Sequence, residues 1–188
     1  TVILTLFNTP EKSIRRLAQY KKYKLIIFNQ ASDLNDKKRL KKILKIDYKY
    51  FFSSKNLGLS KSSNFLLSKV KTKYCLFTQP DIEINKSSIK ILHKIILKNK
   101  DLIFVSPNHS KKLRYNIDKK QYEIKKKIDF SCILCDVKKL KKIGFFDEDF
   151  FLYWEDIFLE KKINSSDYKM ALAINAKVKH YSSGSSQK

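Results

Sequence analysis

The feature that most constrains the fold is a regular alternation of short apolar runs with longer amphipathic segments in the first half of the chain. Apolar runs of this length, bounded by polar residues, predict buried strands, and the segments between them have apolar residues at helical spacing. The predicted strands are VILTLF (2–7), KLIIFN (24–29), YKYFFS (48–53), YCLFT (74–78) and LIFVS (102–106). Repeated strand–helix units predict an α/β fold with a mostly parallel sheet and helices on both faces.

The helices between these strands have recognisable boundaries. Thr9 is the expected N-cap and Pro10 the first residue of a helix that runs to about Tyr20. Further helices are predicted over 33–44, 60–70 and 86–98. His93 falls on the apolar face of the last of these, so we expect a core histidine there.

The second half of the chain has a different, mixed pattern. KLRYNIDKKQYEIK (112–125) is typical of a hairpin around Asp118 and Lys119, and DFSCILC (129–135) predicts a strand. Asp136 is expected to cap a short helix that ends at Gly144. KMALAI (169–174) and KVKHY (177–181) predict two more strands. We therefore expect a single domain of 1–188 with an α/β half, 1–108, and a mixed half, 109–188.

The net charge of +23 suggests nucleic acid as a partner, but the kind of basic residue argues against it. Only four of the 41 basic residues are Arg, and Arg is the residue that nucleic-acid interfaces favour. We expect no nucleic-acid partner and attribute the charge mainly to a compositional bias towards Lys. The charge also suits peripheral association with an anionic membrane surface.

The three cysteines are too few and too irregular for a disulfide framework. Cys132 and Cys135 point to opposite faces if their segment is a strand, so they are poorly placed to share a metal ion. We expect buried, reduced thiols, which predict a cytoplasmic protein. Its basic charge predicts a place at the inner face of the membrane. Since the chain does not begin with Met, we expect it to be a domain of a longer protein.

Polar residues follow each of the first four predicted strands. Ligands of open α/β sheets bind at the carboxyl ends of the strands, so these positions are candidate site residues. They are Asn8 and Thr9, then Asn29 to Ser32, then Asn56 to Gly58, and then Gln79 to Asp81.

Taken in order, five motifs resemble glycosyltransferase family 2, whose members have the GT-A fold. The motifs are TLFN (5–8), NLGLSKSSN (56–64), FTQPD (77–81), GFFDEDFFLYWED (144–156) and HYSSGSS (180–186). The likeness is to rhamnosyltransferase-like members. The chain has neither a membrane-spanning run nor a Gln-x-x-Arg-Trp element, which argues against a processive polysaccharide synthase.

The resemblance implies a metal-assisted, inverting transfer of a sugar from a nucleoside-diphosphate-sugar to a hydroxyl of a glycan or lipid-linked glycan. It implies that 1–108 binds the donor and that 109–188 faces the acceptor. Asp81 and His180 would hold Mg²⁺ or Mn²⁺, a hard cation that neutralises the diphosphate. The alternative for Asp81 is a turn residue after Pro80.

The family motifs also imply a set of donor-binding residues. They are Thr5, Asn8, Asn29, Asn56, Gly58, Asn64, Gln79 and Asp81. Two of them depart from the family pattern. Asn29 stands where the family usually has an Asp that binds the nucleobase, and Gln79 stands where it has an acid or Asn.

Glu155 and Asp156 match the acidic pair that includes the family's catalytic base, with Asp156 in the place of the base. The alternative is that both acids only stabilise the first turn of a helix through its dipole. Tyr153 and Trp154 are candidates to stack on an acceptor sugar, or else belong to the core.

The sequence also bears on two classes of function other than a glycosyltransferase. A sugar-nucleotide pyrophosphorylase needs a glycine-rich loop after the first strand, and the chain has only three glycines, none of them there. A catalytically inactive GT-A-like protein or a basic nucleic-acid-binding module is the remaining alternative.

Overall fold

The predicted alternation is present in a computed structural model that describes residues 1–109 and 120–181. The strands are β1 (Val2–Phe7), β2 (Leu25–Gln30), β3 (Lys49–Phe52), β4 (Tyr74–Thr78), β5 (Ile82–Ile84), β6 (Leu102–Asn108), β7 (Tyr122–Lys125), β8 (Cys132–Asp136) and β9 (Lys169–His180). The helices are α1 (Glu11–Arg16), α2 (Leu34–Ile43), α3 (Gly58–Lys69), α4 (Lys86–Lys98), α5 (Val137–Ile143) and α6 (Glu155–Asn164).

The strands form one mixed sheet in the order β3-β2-β1-β4-β8-β6-β9-β5, with β7 paired to β9. The first four, β3, β2, β1 and β4, run parallel, as the strand–helix pattern predicts. β8 then lies antiparallel between β4 and β6, and β9 runs parallel to β6. The α/β class with a parallel first part and a mixed second part is confirmed.

Helices cover both faces of the sheet. Side chains alternate between the two faces along each strand, so the strands contribute to two core clusters. In β1, Val2, Leu4 and Leu6 belong to one core cluster and Ile3 to the other. The first cluster includes apolar residues of α1, α2 and α4, and the second includes those of α3, α5 and α6. The sheet is therefore buried on both sides, and its carboxyl-terminal edge stays open for a site.

The cysteines lie in the sheet as expected. Cys132 faces one core cluster and Cys135 the other, so the two thiols do not meet. Cys75 pairs across the ladder with Cys135, and all three are buried and free. Burial raises the pKa of the Cys132 thiol to about 12, so this side chain is a core residue and not a nucleophile.

The helix predicted over Pro10 to Tyr20 is shorter in the structure. Pro10 occupies the N-cap, α1 ends at Arg16, and the chain continues as a 3₁₀ turn over Leu17–Tyr20. Thr9 was the wrong N-cap, since its Oγ1 accepts from the backbone nitrogen of Phe7, 3.2 Å away. Asp136 and Gly144, by contrast, cap the start and the end of α5 as predicted.

Three other predictions are corrected. The runs 169–174 and 177–181 form one strand, β9, which continues through an irregularity in its pairing with β6 between Ala173 and Lys177. β5 was not predicted. His93 is exposed and contacts the ring of Tyr74 edge-on, so it is not a core residue. The first part of the predicted hairpin with its turn at Asp118 and Lys119, and the end of the last motif, 182–186, lie outside the described residues, whereas 122–125 of the hairpin form β7.

The helices are short. The longest, α4, has 13 residues, and within 1–109 and 120–181 none combines the length and the apolar character needed to cross a bilayer.

Candidate active site

Two cavities open at the carboxyl-terminal edge of the sheet. The smaller, of about 320 Å³, lies at the ends of β1 and β2 and is lined only by residues of the first 40 positions. The larger, of about 670 Å³, is lined mainly by residues after position 105, from the end of β6, the segment 125–131 and the loop before α6. A candidate site with two cavities therefore lies at the carboxyl ends of the strands, where ligands of this fold class bind.

The smaller cavity contains two of the predicted donor-binding residues, Asn8 and Asn29. Asn8 has a φ of 46° and turns the chain away from β1 at the cavity. The Nδ2 of Asn29 donates to the hydroxyl of Tyr50 at 3.2 Å, which fixes the amide plane. Asp36 and Arg39 also line this cavity, so it offers acceptors, donors and one cation to a polar ligand.

Asp81 and His180 are brought together by strand pairing. β5 pairs with the end of β9 so that Ile82 lies opposite His180, and Tyr181 donates its backbone N–H to the Asp81 carbonyl at 2.9 Å. The Nε2 of His180 lies 3.3 Å from the Oδ2 of Asp81. Asp81 is only 7% exposed, whereas His180 lines the larger cavity. An imidazole and a carboxylate at this separation fit a divalent cation.

His109, which the sequence patterns do not single out, lies beside this pair. It follows β6 directly, and its Nδ1 lies 3.4 Å from the Oδ2 of Asp129. One ligand atom from each of His109, Asp129 and His180 lies within 4.8 Å of the others. Burial lowers the pKa of His109, so its ring is neutral and able to offer a lone pair. Its place just after a buried strand was the available signal, as for Asp81.

Glu155 and Asp156 begin α6 and both line the larger cavity. Glu155 is 6% exposed, and its Oε2 has no hydrogen-bond partner among the residues described. Burial raises the pKa of the Glu155 carboxyl. The Oδ1 of Asp156, which is less deeply buried, accepts from the backbone N–H of Ile157 at 2.8 Å. The pair thus lies both in the first turn of a helix and in a cavity wall.

Tyr153 and Trp154 precede this pair with left-handed backbone angles, φ of 66° and 72°. Both side chains are more than half exposed, so neither is a core residue. Tyr153 lines the larger cavity together with Leu152. Trp154 is the N-cap of α6 and lies next to this wall.

Of the predicted residues Asn56, Gly58 and Asn64, the last two approach the loop before α6. Asn56 accepts from the Gly58 N–H at 3.0 Å, which shapes the turn into α3. The Nδ2 of Asn64 donates to the carbonyl of Phe146 and to Glu148, each at 2.9 Å, and its Oδ1 accepts from the Phe146 N–H at 3.1 Å. These residues therefore join α3 to the loop that carries the acidic pair.

Thr5 and Gln79 complete the predicted set. The Thr5 hydroxyl donates to the Oγ of Ser62 in α3 at 3.3 Å, which links β1 to that helix. Gln79 lines the larger cavity, and its backbone N–H donates to the carbonyl of Ser131 at 3.1 Å. Only Gln79 of this pair therefore borders a cavity.

The sequence matches the model of the family described as "Glycosyl transferase family 2" over residues 1–160. This match covers most of the chain. The chain belongs to glycosyl transferase family 2. Glu155 and Asp156 lie within the matched residues. No protein of curated function matches the sequence of this family 2 chain.

Solved glycosyltransferase structures share the fold of this family 2 chain. GalNAc-T7, in a crystal structure with UDP, GalNAc and Mn²⁺, has a TM-score of 0.79 and 12% identity. The mannosyltransferase PcManGT from Pyrobaculum calidifontis, in complex with GDP-Man and Mn²⁺, has a TM-score of 0.75 and 14% identity. S. aureus TarS 1–349 has a TM-score of 0.70 and 17% identity.

Each of these alignments covers 95% of this chain but only part of the other one. The shares are 42% of GalNAc-T7, 55% of PcManGT and 59% of TarS 1–349. The chain thus spans about half the length of these similar structures.

Proposed function

We propose that this family 2 chain transfers a sugar from a nucleoside-diphosphate-sugar to a hydroxyl of a glycan or lipid-linked glycan, with inversion and with the help of a divalent cation. The observation that carries the proposal is the placement of His180 and the Glu155–Asp156 pair on one cavity wall, with the Asp81 carboxylate 3.3 Å from His180. A cation ligand and a candidate base on one cavity are what an inverting sugar transfer needs.

The nucleoside of the donor would occupy the smaller cavity, between Asn8 and Asn29. The amide of Asn29 presents a donor and an acceptor to a base edge. The similar structures bind UDP in one case and GDP-Man in the other, which supports a nucleotide ligand at this edge of the sheet. This assignment makes 1–108 the donor half and 109–188 the acceptor half, in line with the residues that line each cavity.

Asp81 and His180 would hold the cation, Mg²⁺ or Mn²⁺, and the Mn²⁺ in two similar structures supports this. When bound, the ion supplies positive charge to the diphosphate that leaves. The chain's own part is to hold the ligands in place through the pairing of β5 with β9. Because Asp81 is nearly inaccessible, its carboxylate is already held before the donor arrives.

Asp156 would take the proton of the acceptor hydroxyl. It lines the larger cavity next to Glu155, and it is the less buried of the two. Glu155, which is only 6% exposed, would support the wall of the cavity beside it. A base within reach of the hydroxyl, on the side opposite the departing diphosphate, gives inversion.

Exposed aromatic side chains beside the cavity support a sugar or lipid-linked sugar as the acceptor. Tyr153 is 62% exposed and Trp154 65%, and flat apolar faces of this kind stack on sugar rings. Peripheral contact with an anionic membrane at its inner, cytoplasmic face is proposed on the charge of +23. The rhamnosyltransferase-like subtype stays a prediction.

The test is a donor panel. Purified protein is incubated with Mn²⁺ and UDP-, GDP- or TDP-sugars, with and without short glycan acceptors, and release of the nucleoside diphosphate is followed. We expect one nucleotide class to react faster when acceptor is present. Binding to DNA or RNA that weakens steeply with salt, without any donor turnover, would favour the nucleic-acid alternative.

A further inference from the structure

Three strands bring the side chains of His109, Asp129 and His180 to one point at the edge of the larger cavity. His109 follows the end of β6, Asp129 precedes β8, and His180 ends β9. Their ligand atoms lie within 4.8 Å of one another. Ligands of one ion at about 2.1 Å lie roughly 3–4 Å apart, so small side-chain rotations bring the three into a shared coordination shell.

The surroundings of His109 point to a missing partner. Both of its ring nitrogens are shielded from solvent, and within the part of the chain that the structure describes neither has a hydrogen-bond partner. The Asp129 oxygen, at 3.4 Å from Nδ1, is close enough for an ion pair but lacks the direction of a hydrogen bond. Buried polar atoms are seldom left without a partner, and a cation would satisfy a ring nitrogen here.

We propose that His109 and Asp129 join His180 as protein ligands of the cation, so that the ion binds before the nucleotide does. The inference rests on the proposed function for the role of the ion, and it adds two ligands to the pair of Asp81 and His180. A pair of ligands leaves most of the shell to donor phosphate. His109, Asp129 and His180 together would supply three of the six ligands of a six-coordinate ion before any nucleotide binds.

The chemistry of these ligands also selects the ion. Two imidazole nitrogens and a carboxylate suit Mn²⁺, Co²⁺ and Zn²⁺, whereas Mg²⁺ prefers oxygen ligands and keeps several waters. The site therefore prefers Mn²⁺ or Co²⁺ to Mg²⁺ in the absence of nucleotide. Asp81 lies 3.3 Å from the Nε2 of His180 but is not among the three residues whose ligand atoms converge, so its carboxylate would support the site through His180.

The experiment is a titration of the full chain with Mn²⁺ in the absence of nucleotide, followed by calorimetry and by the electron paramagnetic resonance of free Mn²⁺. The wild type is expected to bind one ion. His109→Ala and Asp129→Asn should each weaken this binding at least about tenfold. His93→Ala, a change of an exposed histidine far from the cavity residues, should leave it unchanged. Circular dichroism checks that each variant is folded.

Co²⁺ provides a second readout that does not depend on activity. Its visible absorption on binding to the wild type should change in His109→Ala and should be displaced by Mn²⁺ more readily than by Mg²⁺. Equal Mn²⁺ affinity in the wild type and in both variants would overturn the inference, as would a wild type that binds Mn²⁺ only when nucleotide is present. The latter result leaves the proposed function standing, whereas Mn²⁺ binding without any nucleotide binding would support the ion site and contradict the donor site.

Discussion

The backbone N–H of Leu59 donates to the carbonyl oxygen of Phe151 at 2.7 Å. This bond joins the first turn of α3 to the loop that leads into α6, where Glu155 and Asp156 lie. It requires close approach of two backbones, since a Cβ on Gly58 would lie 2.3 Å from the same oxygen. Gly58 therefore allows the contact between α3 and the loop before α6. This role does not depend on any contact with a donor.

Gly58→Ala should destabilise the protein more than Gly144→Ala does. Both glycines have left-handed angles, φ of 80° and 81°, which cost an alanine roughly 1–2 kcal/mol. Only Gly58 adds a backbone clash, because a Cβ on Gly144 meets no atom within 4 Å. We expect Gly58→Ala to lose at least about 1 kcal/mol more free energy of unfolding in urea. Equal losses would mean that the contact with Phe151 does not exist in solution.

Asn64→Ala should loosen the same loop. The amide makes three hydrogen bonds to Phe146 and Glu148, and their loss leaves backbone groups of Phe146 without these partners. We expect a loss of about 2–3 kcal/mol in urea unfolding and a lower turnover with donor affinity nearly intact. Asn35→Ala, at an exposed position in α2 where the amide makes one long hydrogen bond to Asp33 at 3.5 Å, is the control and should change stability by less than about 0.5 kcal/mol. A variant as stable as this control would contradict the assigned role.

Glu155→Gln should change how stability depends on pH. Burial raises the pKa of Glu155 in the folded state above its ordinary value of 4.5, so the folded protein holds this proton more tightly than the unfolded chain. Its stabilising contribution is present below that value and is lost as pH rises through the folded pKa. The wild type should therefore lose stability relative to Glu155→Gln as pH rises above 4.5. If the difference in stability between the wild type and Glu155→Gln, measured by thermal unfolding at each pH, stays the same from acid to neutral pH, this prediction is wrong.

Asp156→Asn should lower turnover by about 10²- to 10⁴-fold, the usual effect of removing a general base, while donor affinity stays nearly the same. Asp167→Asn, an exposed acid beyond the end of α6, is the control and should retain full turnover. Single-turnover kinetics with the reacting donor, together with calorimetry of the nucleotide, separate the two effects. A variant with weakened nucleotide binding and unchanged turnover of bound donor would assign Asp156 a structural role instead.

Most of the local structure was predictable because it depends on local patterns. The apolar runs of β1 to β4, the cap of Asp136 and the stop at Gly144 each carry their own signal in adjacent residues. The position of β8 between β4 and β6 has no such signal. A strand that is buried on both faces is apolar throughout, so its sequence indicates neither its direction nor its neighbours in the sheet. β5 was not predicted because it has only three residues and directly follows Pro80 and Asp81, which indicate a turn.

The candidate site was predictable where motif and strand end coincide. Asp81 and His180 were predicted in this way and Glu155 and Asp156 from the motif alone, and the structure places His180 and the acidic pair on one cavity. His109 was missed because a single histidine in a polar stretch has no spacing to recognise, and its partners arrive from two other strands. Nor does the sequence distinguish an amide that contacts a donor from one that supports a loop, as with Asn64, because both uses need the same groups.

The central claim, a metal-assisted nucleotide-sugar site, is tested most directly by calorimetric titration of UDP, GDP and TDP in the presence and absence of Mn²⁺. We predict that at least one nucleotide binds and that Mn²⁺ strengthens its binding. We also predict that Asp81→Ala loses this effect of the metal, whereas Asp47→Ala, at an exposed position, keeps it. No binding of any of the three nucleotides with Mn²⁺ present, or equal binding by the wild type and Asp81→Ala, would contradict the account.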